Sequence, residues 1–485
     1  MIYSLRDVIG SNLEETKERL AYIVELDRTS TRHKAIKEGV RYFNNDNDIL
    51  YEKQYFYDNE GKKRVDETKK NNRLSHNFYG LLVKQKVGYL LGKPMNFNST
   101  NSEVNKILDD ILGDKWNITA QELLKNASNK GDEWLYCYID ENGEFDYTIC
   151  PTEQIIPLYN NGFKQKLEGV IRYYEIVTLE GKSTLAIELW TQNEVKYFKL
   201  DEDDDDLQLV ATKSHFYING VGYSFGVIPF VQFKNNEELT TDLSMVKELI
   251  DNYDKVTSGL ANDLEEIQDS IYVLKGYQGT DSSEFMNNLR YYKLIKVDED
   301  GGVDKLELHI PIEAKNSHLK RLEDDIYRLG MGVDVSAEKL GNSSGVALKF
   351  IYSLLDLKAD ISEIQFKKSI RHLLKIISNW LRISKGIVFD RKEVKVTFNR
   401  SMLVNTKEQI INVTNSVGML SKETLLANHP FVTDVDYELT KMREEGLEFP
   451  ASPPASPLNK QAIDHKEEYD HQDSDLPSSQ NKING

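Results

Sequence analysis

Along this chain the spacing of apolar residues switches from helical to strand-like and back. In residues 1–50, Leu13, Leu20, Ile23 and Leu26 fall at helical intervals. Residues 71–92 predict a stronger helix with a broad apolar stripe (Leu74, Phe78, Leu81, Leu82, Val87, Leu90, Leu91), stopped by Gly92-Lys93-Pro94. Residues 103–130 predict more helix around Ile107, Ile111, Leu123 and Leu124. From 133 to 234 the period becomes two, the pattern of half-buried strands. It marks strands at Trp134–Ile139, Phe145–Cys150, Gly169–Thr178, Ser183–Thr191, Glu194–Leu200, Leu207–Thr212 and His215–Tyr217. Asn-Gly pairs at 142–143, 161–162 and 219–220 supply hairpin turns.

Helical spacing returns over 241–270. A mixed segment then predicts a strand at Ile271–Leu274, a helix at Ser282–Tyr291 and a strand at Lys293–Val297. An acidic turn at Asp298–Gly302 and a strand at Leu306–Ile310 complete it. Residues 315–331 predict a helix and 332–345 a polar loop held between glycines. A helix without Pro or Gly from Val346 to Lys385 would span roughly 60 Å. Its apolar positions, Val346, Phe350, Leu354, Leu357, Ile361 and Ile364, continue into Ile370, Leu373, Leu374 and Ile377. That is more apolar surface than one small domain covers, and a helix this long needs something large to pack against. Ile387–Phe398 predicts a strand, and 405–445 predicts short helices broken at Gly418 and Pro430. Residues 451–485, rich in Pro, Ser, Asn, Asp and Lys, are expected to be disordered.

With 485 residues the chain can hold several cores. Its net charge of −18, from 61 basic and 79 acidic residues, makes it a poor general binder of nucleic acid or anionic membrane. No secretory leader is expected, because Arg6 and Asp7 interrupt the start, and no apolar run reaches a membrane span. The two cysteines flank the predicted 140–144 turn. If Asp140 faces Glu144, Cys137 lies opposite Tyr147 and Cys150 opposite Trp134, out of register for a disulfide. That fits synthesis in a reducing cytoplasm.

Candidate chemistry is sparse. Gly88-Tyr-Leu-Leu-Gly92-Lys93-Pro94 is one residue short of a phosphate loop and has Pro94 where a hydroxyl would coordinate Mg²⁺. No HExxH, GxSxG or paired CxxC occurs. The acidic run Asp201–Asp206 reads as a solvated hairpin end, since it lacks the ligand spacing of a Ca²⁺ loop. His465 and His471 lie in the disordered tail and read as solvated. Asp324-Asp325 or Asp356/Asp360 could be imagined as a two-metal nuclease site, but the latter pair reads as an exposed helix face. Lys62, Lys63, Arg64, Lys69, Lys70, Lys367, Lys368, Arg371 and Lys375 form no single nucleic-acid arm. No enzymatic activity, metal or cofactor is expected.

The order of elements resembles the portal proteins of long-tailed bacteriophages, over roughly residues 15–450. The strings that carry the resemblance are Asn71–Gly80 with Lys86–Pro94, Val273–Tyr277, Gly345–Lys358 and Glu423–Pro430. It implies an α+β portal fold: mainly helical wing, stem and crown, an antiparallel β insertion in the wing, and a small α/β clip. Carried onto this chain, the wing is 1–240, with its β-rich part at 133–234, and is completed by the long helix and strand of 346–398. The stem helices are 241–270 and 315–331, the clip 271–314, the tunnel loop 332–345 and the crown 399–450. The implied assembly is a homododecameric ring at the capsid portal vertex of the virion, made in the host bacterial cytoplasm. The ring would nucleate procapsid assembly and pass double-stranded DNA during packaging and ejection. Its implied partners are the terminase large subunit, a head-completion or adaptor protein, scaffolding protein and major capsid protein, and no membrane. DNA would meet the tunnel loop at Asp334, Val335, Ser336, Lys339, Asn342 and Ser343. Asp251, Asp254, Glu265 and Glu266 would give the stem an acidic, repulsive lining, and Tyr277, Asp281 and Asp298 would offer the clip's partner surface. The alternatives are a metal-dependent enzyme on nucleic acid and a generic oligomeric scaffold.

Overall fold

The computed structural model describes residues 3–446, except 59, 68, 161, 164–165, 205, 267–270, 276–301, 307–310, 335–344, 402–405 and 433–434. Two compact units result: residues 1–341 with 349–402, and residues 342–348 with 403–485. The described parts mix helices and antiparallel sheets, an α+β composition. No helix among the described residues is long and apolar enough to cross a membrane.

The first unit opens with helices α1 (Leu5–Val8), α2 (Leu13–Arg28) and α3 (Thr31–Phe43). The hairpin β1 (Tyr55–Tyr57) and β2 (Lys63–Val65) follows. Next come α4 (Phe78–Leu91), β3 (Asn96–Asn98), α5 (Ser102–Ile111) and α6 (Gly113–Lys130). The expected helix over 71–92 starts only at Phe78, where Asn77 accepts from Gly80 N at 2.9 Å. The seven residues before it are held out of the helix by side chains far along the chain. Asn72 N donates to Asn262 at 2.7 Å, Leu74 N to Ser258 at 2.9 Å and His76 N to Asp254 at 3.0 Å. Leu74 and Leu81 of the expected apolar stripe are exposed.

The β region contains every strand expected there, and more. β4 (Asp132–Ile139) lies between β5 (Phe145–Cys150) and β13 (Phe230–Lys234). A five-stranded antiparallel sheet runs in the order β10-β9-β8-β7-β6. Its strands are β6 (Ile155–Tyr159), β7 (Leu167–Val177), β8 (Ser183–Trp190), β9 (Glu194–Asp201) and β10 (Gln208–Ser214). β6 escapes the sequence pattern because Pro157 interrupts it, and Pro is tolerated where β6 sits, at the sheet edge. β11 (Phe216–Ile218) and β12 (Val221–Tyr223) are joined by Asn219 at φ 49° and Gly220 at φ 78°, the positive angles a type I′ turn requires. Asn161 lies outside the described residues. Cys137 pairs with Tyr147 and Cys150 with Trp134, and both thiols are free and buried.

Beyond a short 3₁₀ turn at Asp242–Met245 comes α7 (Lys247–Glu266). β14 (Ile271–Lys275) pairs with β15 (Gly302–Leu306), which begins four residues before the expected strand start at Leu306. The expected elements at 282–291 and 293–297 and the body of the acidic turn lie outside the described residues. α8 (Ile312–Leu329) precedes the glycine-flanked segment, and α9 (Gly345–Ser384) is the long helix, 40 residues as its lack of breakers implied. Of the expected strand 387–398 only β16 (Lys395–Thr397) forms, paired with β3. The preceding residues instead turn over the end of α9: Ile387 N donates to Leu381 O at 3.3 Å and Ser378 to Phe389 O at 3.1 Å.

Four cores hold this unit among the described residues, one of them formed where Trp134 and Phe230 of the three-stranded sheet meet Ile155 and Trp190 of the five-stranded sheet. Phe366, Ile370, Leu373, Leu374, Ile377 and Trp380 of α9 share the largest with Trp116, Leu123, Leu135 and Phe233. α2 packs Leu20, Ile23 and Val24 onto Ile171, Tyr173, Ile187 and Phe198 of the five-stranded sheet. Tyr42, Tyr79, Leu82 and Val83 join Val246, Ile250 and Ile326, tying α3 and α4 to α7 and α8. The second unit holds three short helices, Thr406–Asn415, Lys422–Ala427 and Val435–Glu444, with Gly418 at φ 86° between the first two.

Candidate functional site

Residue Lys86 of α4 looks like one more polar position on an amphipathic helix, yet it is 1% exposed. Its ammonium donates to Ser128 Oγ at 3.1 Å, Asn235 Oδ1 at 2.5 Å and Asp242 Oδ2 at 3.1 Å. Lys358 of α9 reaches the same Asp242 oxygen at 3.1 Å and donates to Gly330 O at 2.9 Å. Burial pushes the Lys86 ammonium down to about 8, against the pull of Asp242. Burial alone would raise the Asp242 carboxyl, but Lys358 and Lys86 outweigh it and hold it well below the usual range. A carboxylate shared by two buried cations costs desolvation and holds only in this geometry. The node therefore fixes α4, the Asp242 turn, α9 and the end of α8 relative to one another.

The root of the 332–345 segment rests on that node. Gln85 reads Val333 as a neighbouring strand would, donating to its O at 2.6 Å and accepting from its N at 3.0 Å. Met331 takes φ 54°, and a Cβ on Gly332 would lie 2.2 Å from Leu82 Cδ2, so any larger residue there would have to displace the Leu82 side chain. Asp334 follows this anchor directly and is half-buried. Val335, Ser336, Lys339, Asn342 and Ser343 lie outside the described residues, as do Tyr277, Asp281 and Asp298.

The acidic residues expected to line a tunnel part company. Asp254 is fully buried, which corrects its assignment to an exposed lining. It accepts from Asn47 at 2.7 Å and His76 N at 3.0 Å, and meets His76 Nδ1 at 2.7 Å. Burial raises its pKa despite those bonds. Its role is to hold the 71–77 segment, which a helix-by-helix count of charge could not show. Asp251 is tied to Tyr42 and to Lys247 at 2.7 Å, with a side chain 31% exposed. Glu265 accepts from Asn72 at 3.0 Å and stays half exposed. The side chain of Glu266 lies outside the described residues.

α9 carries two further features. Phe350, Leu354, Leu357, Ile361 and Ile364 are 75%, 38%, 51%, 41% and 55% exposed. Their 4-3-4-3 spacing makes one continuous apolar seam, the pattern by which helices bury against helices. Beside it, Arg400 binds Asp356, Asp360 and Glu363 together, the last at 2.7 Å. The acidic pair that resembled a metal site is thus occupied by a guanidinium. Among the described residues no group of three or more His, Cys, Asp or Glu could hold a metal ion.

Residues 24–448 match the family described as phage portal protein, SPP1 Gp6-like. A portal protein of Bacillus phage SPP1 is 36% identical over 449 residues, covering 91% of this chain and 89% of the relative. A portal protein of Clostridium phage phiCD119 is 35% identical over 457 residues, covering 90% of this chain and 97% of the relative.

Proposed function

Because this chain belongs to the SPP1 Gp6-like family of phage portal proteins, we propose that it assembles into a dodecameric ring at one capsid vertex and forms the channel for double-stranded DNA. The observation that carries the ring is the apolar seam on α9. Five large side chains stand exposed at coiled-coil spacing on a helix whose other face is deeply buried. Full burial of each such side chain is worth roughly 1.5–3 kcal/mol, and neighbouring subunits in a closed ring can supply it. A net charge of −18 suits a conduit, because each phosphate neutralised would strengthen binding and slow sliding.

In this reading residues 1–240 with 346–398 form the wing, 241–270 and 315–331 the stem, 271–314 the clip and 399–450 the crown. The loop from Asp334 narrows the tunnel, held at a fixed radius by Gln85 and Lys358. The ring sits in the virion, nucleates procapsid assembly, and docks the terminase large subunit and then a head-completion protein, with scaffolding and major capsid protein as neighbours. A metal-dependent nuclease is the weaker reading, because Arg400 fills its candidate acidic site. Negative-stain imaging of the purified chain tests the proposal. Rings with a central hole are expected. A monodisperse monomer with Mg²⁺-dependent cleavage, or an oligomer without a hole, would overturn it.

A further inference from the structure

The five-stranded sheet is electrically polarised along its strands. At one end the β7–β8 and β9–β10 turns carry Glu180, Glu202, Asp203, Asp204 and Asp206. Among the described residues only Asp203 of these five is answered by an ion pair, from Lys182 at 2.7 Å, while Lys199 pairs with Asp201 at the end of β9. The same end presents Leu179 fully to solvent and Val177 at 65% exposure. At the other end, Thr191–Asn193 and the start of β7 border a cavity of about 890 Å³. Arg6, Lys166, Lys375 and Arg391 line it, with Glu168 the single carboxylate, and Ile9, Leu167 and Ile228 supply apolar wall.

None of those four cations has an ion pair among the described residues. Lys375 is disfavoured as a cation by burial and then by Arg391 and Lys166. His372, also in the wall, is pushed down to about 4 by burial and the neighbouring Lys375 and Arg391, so it stays neutral. The cavity thus concentrates unanswered positive charge beside apolar surface in a chain of net charge −18. The acidic end of the same sheet has the complementary mixture. It cannot reach its own cavity, because β8 runs from one end to the other over eight residues, about 26 Å.

We propose that this cavity receives the acidic β7–β8/β9–β10 end of a second copy of this chain. Leu179 packs on the apolar wall, and the carboxylates face Arg6, Lys166, Lys375 and Arg391. Such a contact joins two different surfaces head to tail, the kind that repeats around a closed ring. It rests on the ring reading above. A DNA phosphate would answer the charge but leave the apolar wall and Leu179 without partners.

Charge reversal in the full-length chain tests the contact. Arg6→Glu with Lys166→Glu changes exposed positions, as does Glu180→Lys with Asp204→Lys and Asp206→Lys. Sedimentation velocity should show each set raising the half-assembly concentration by about tenfold or more, with the combined variant returning near wild type. A Lys375→Cys, Asp206→Cys protein should form disulfide-linked oligomers that neither single variant forms, since Cys137 and Cys150 are buried. Unchanged assembly in both reversed sets, failed rescue, or no cross-link would overturn the contact while leaving the ring reading intact. Wild-type protein that never forms rings would overturn both. Normal assembly with lost retention of a duplex oligonucleotide by the cavity variant would make it a phosphate site and overturn the proposal.

Discussion

His215 shows how much one buried side chain can set. It is 8% exposed, accepts from Phe225 N at 3.3 Å through Nδ1 and lies 3.1 Å from Thr191 O through Nε2, which fixes the neutral tautomer. Burial pushes its pKa down to about 4, partly offset by the Thr191 carbonyl. A folded-state pKa below the unfolded value means the unfolded chain binds the proton more readily. The stabilisation is therefore complete above about pH 6.5 and is lost as pH falls towards 4. At pH 5 the loss is about 2 kcal/mol from this group. Urea unfolding at pH 7 and pH 5 should show a smaller drop for His215→Gln than for wild type; equal drops would refute the assignment. Residue identity alone does not reveal this, nor the burial of Lys86 and Asp254. A lysine in Val83-Lys84-Gln85-Lys86-Val87 reads as a solvated position, and only the packing of Asp242, Asn235 and Lys358 around it makes burial tolerable. The cysteine register was legible, because a two-residue period and one turn dictate it.

Elements divide by whether their limits are local. α9 ends where its breakers are, at Gly345 and near Gly386, so its length could be read directly. α4 starts later than its apolar pattern because residues of α7, some 180–190 positions along the chain, capture the backbone before it. β16 is short because the residues before it satisfy their polar groups on the end of α9. In the proposed ring, the seam on α9 is where element and assembly would meet. Leu357→Lys with Ile361→Lys places two charges on exposed positions, so folding should change by only about 0.5 kcal/mol per site. Ring formation, read by sedimentation and imaging, should fall by at least about a hundredfold in concentration dependence. Retained assembly would remove the seam from the subunit contact.

At the scale of the molecule, charge and topology act together. The Gln85–Val333 clamp and the Lys358–Gly330 bond hold the root of the 332–345 segment, at Gly330 and Val333, without calling on residues beyond it. Deleting residues 335–343 should then leave rings intact by negative stain while blocking DNA packaging or retention, scored as DNA-filled heads. Normal filling would take this segment out of DNA handling. The same independence explains why the site was half legible. Glycine spacing marks a loop, but nothing near it in the sequence names Gln85 or Lys358, which lie about 248 and 28 positions away from the groups they hold.

Local physics by itself determined the α+β composition, the long uninterrupted helix and the hairpin register. Each depends on period, breakers or turn chemistry within a few residues. The tertiary structure decided which charges are buried, where α4 begins, which face of α9 stays bare and that Arg400 fills the acidic site. Those depend on groups brought together from distant segments, where desolvation must be answered by a partner that no short stretch of sequence contains.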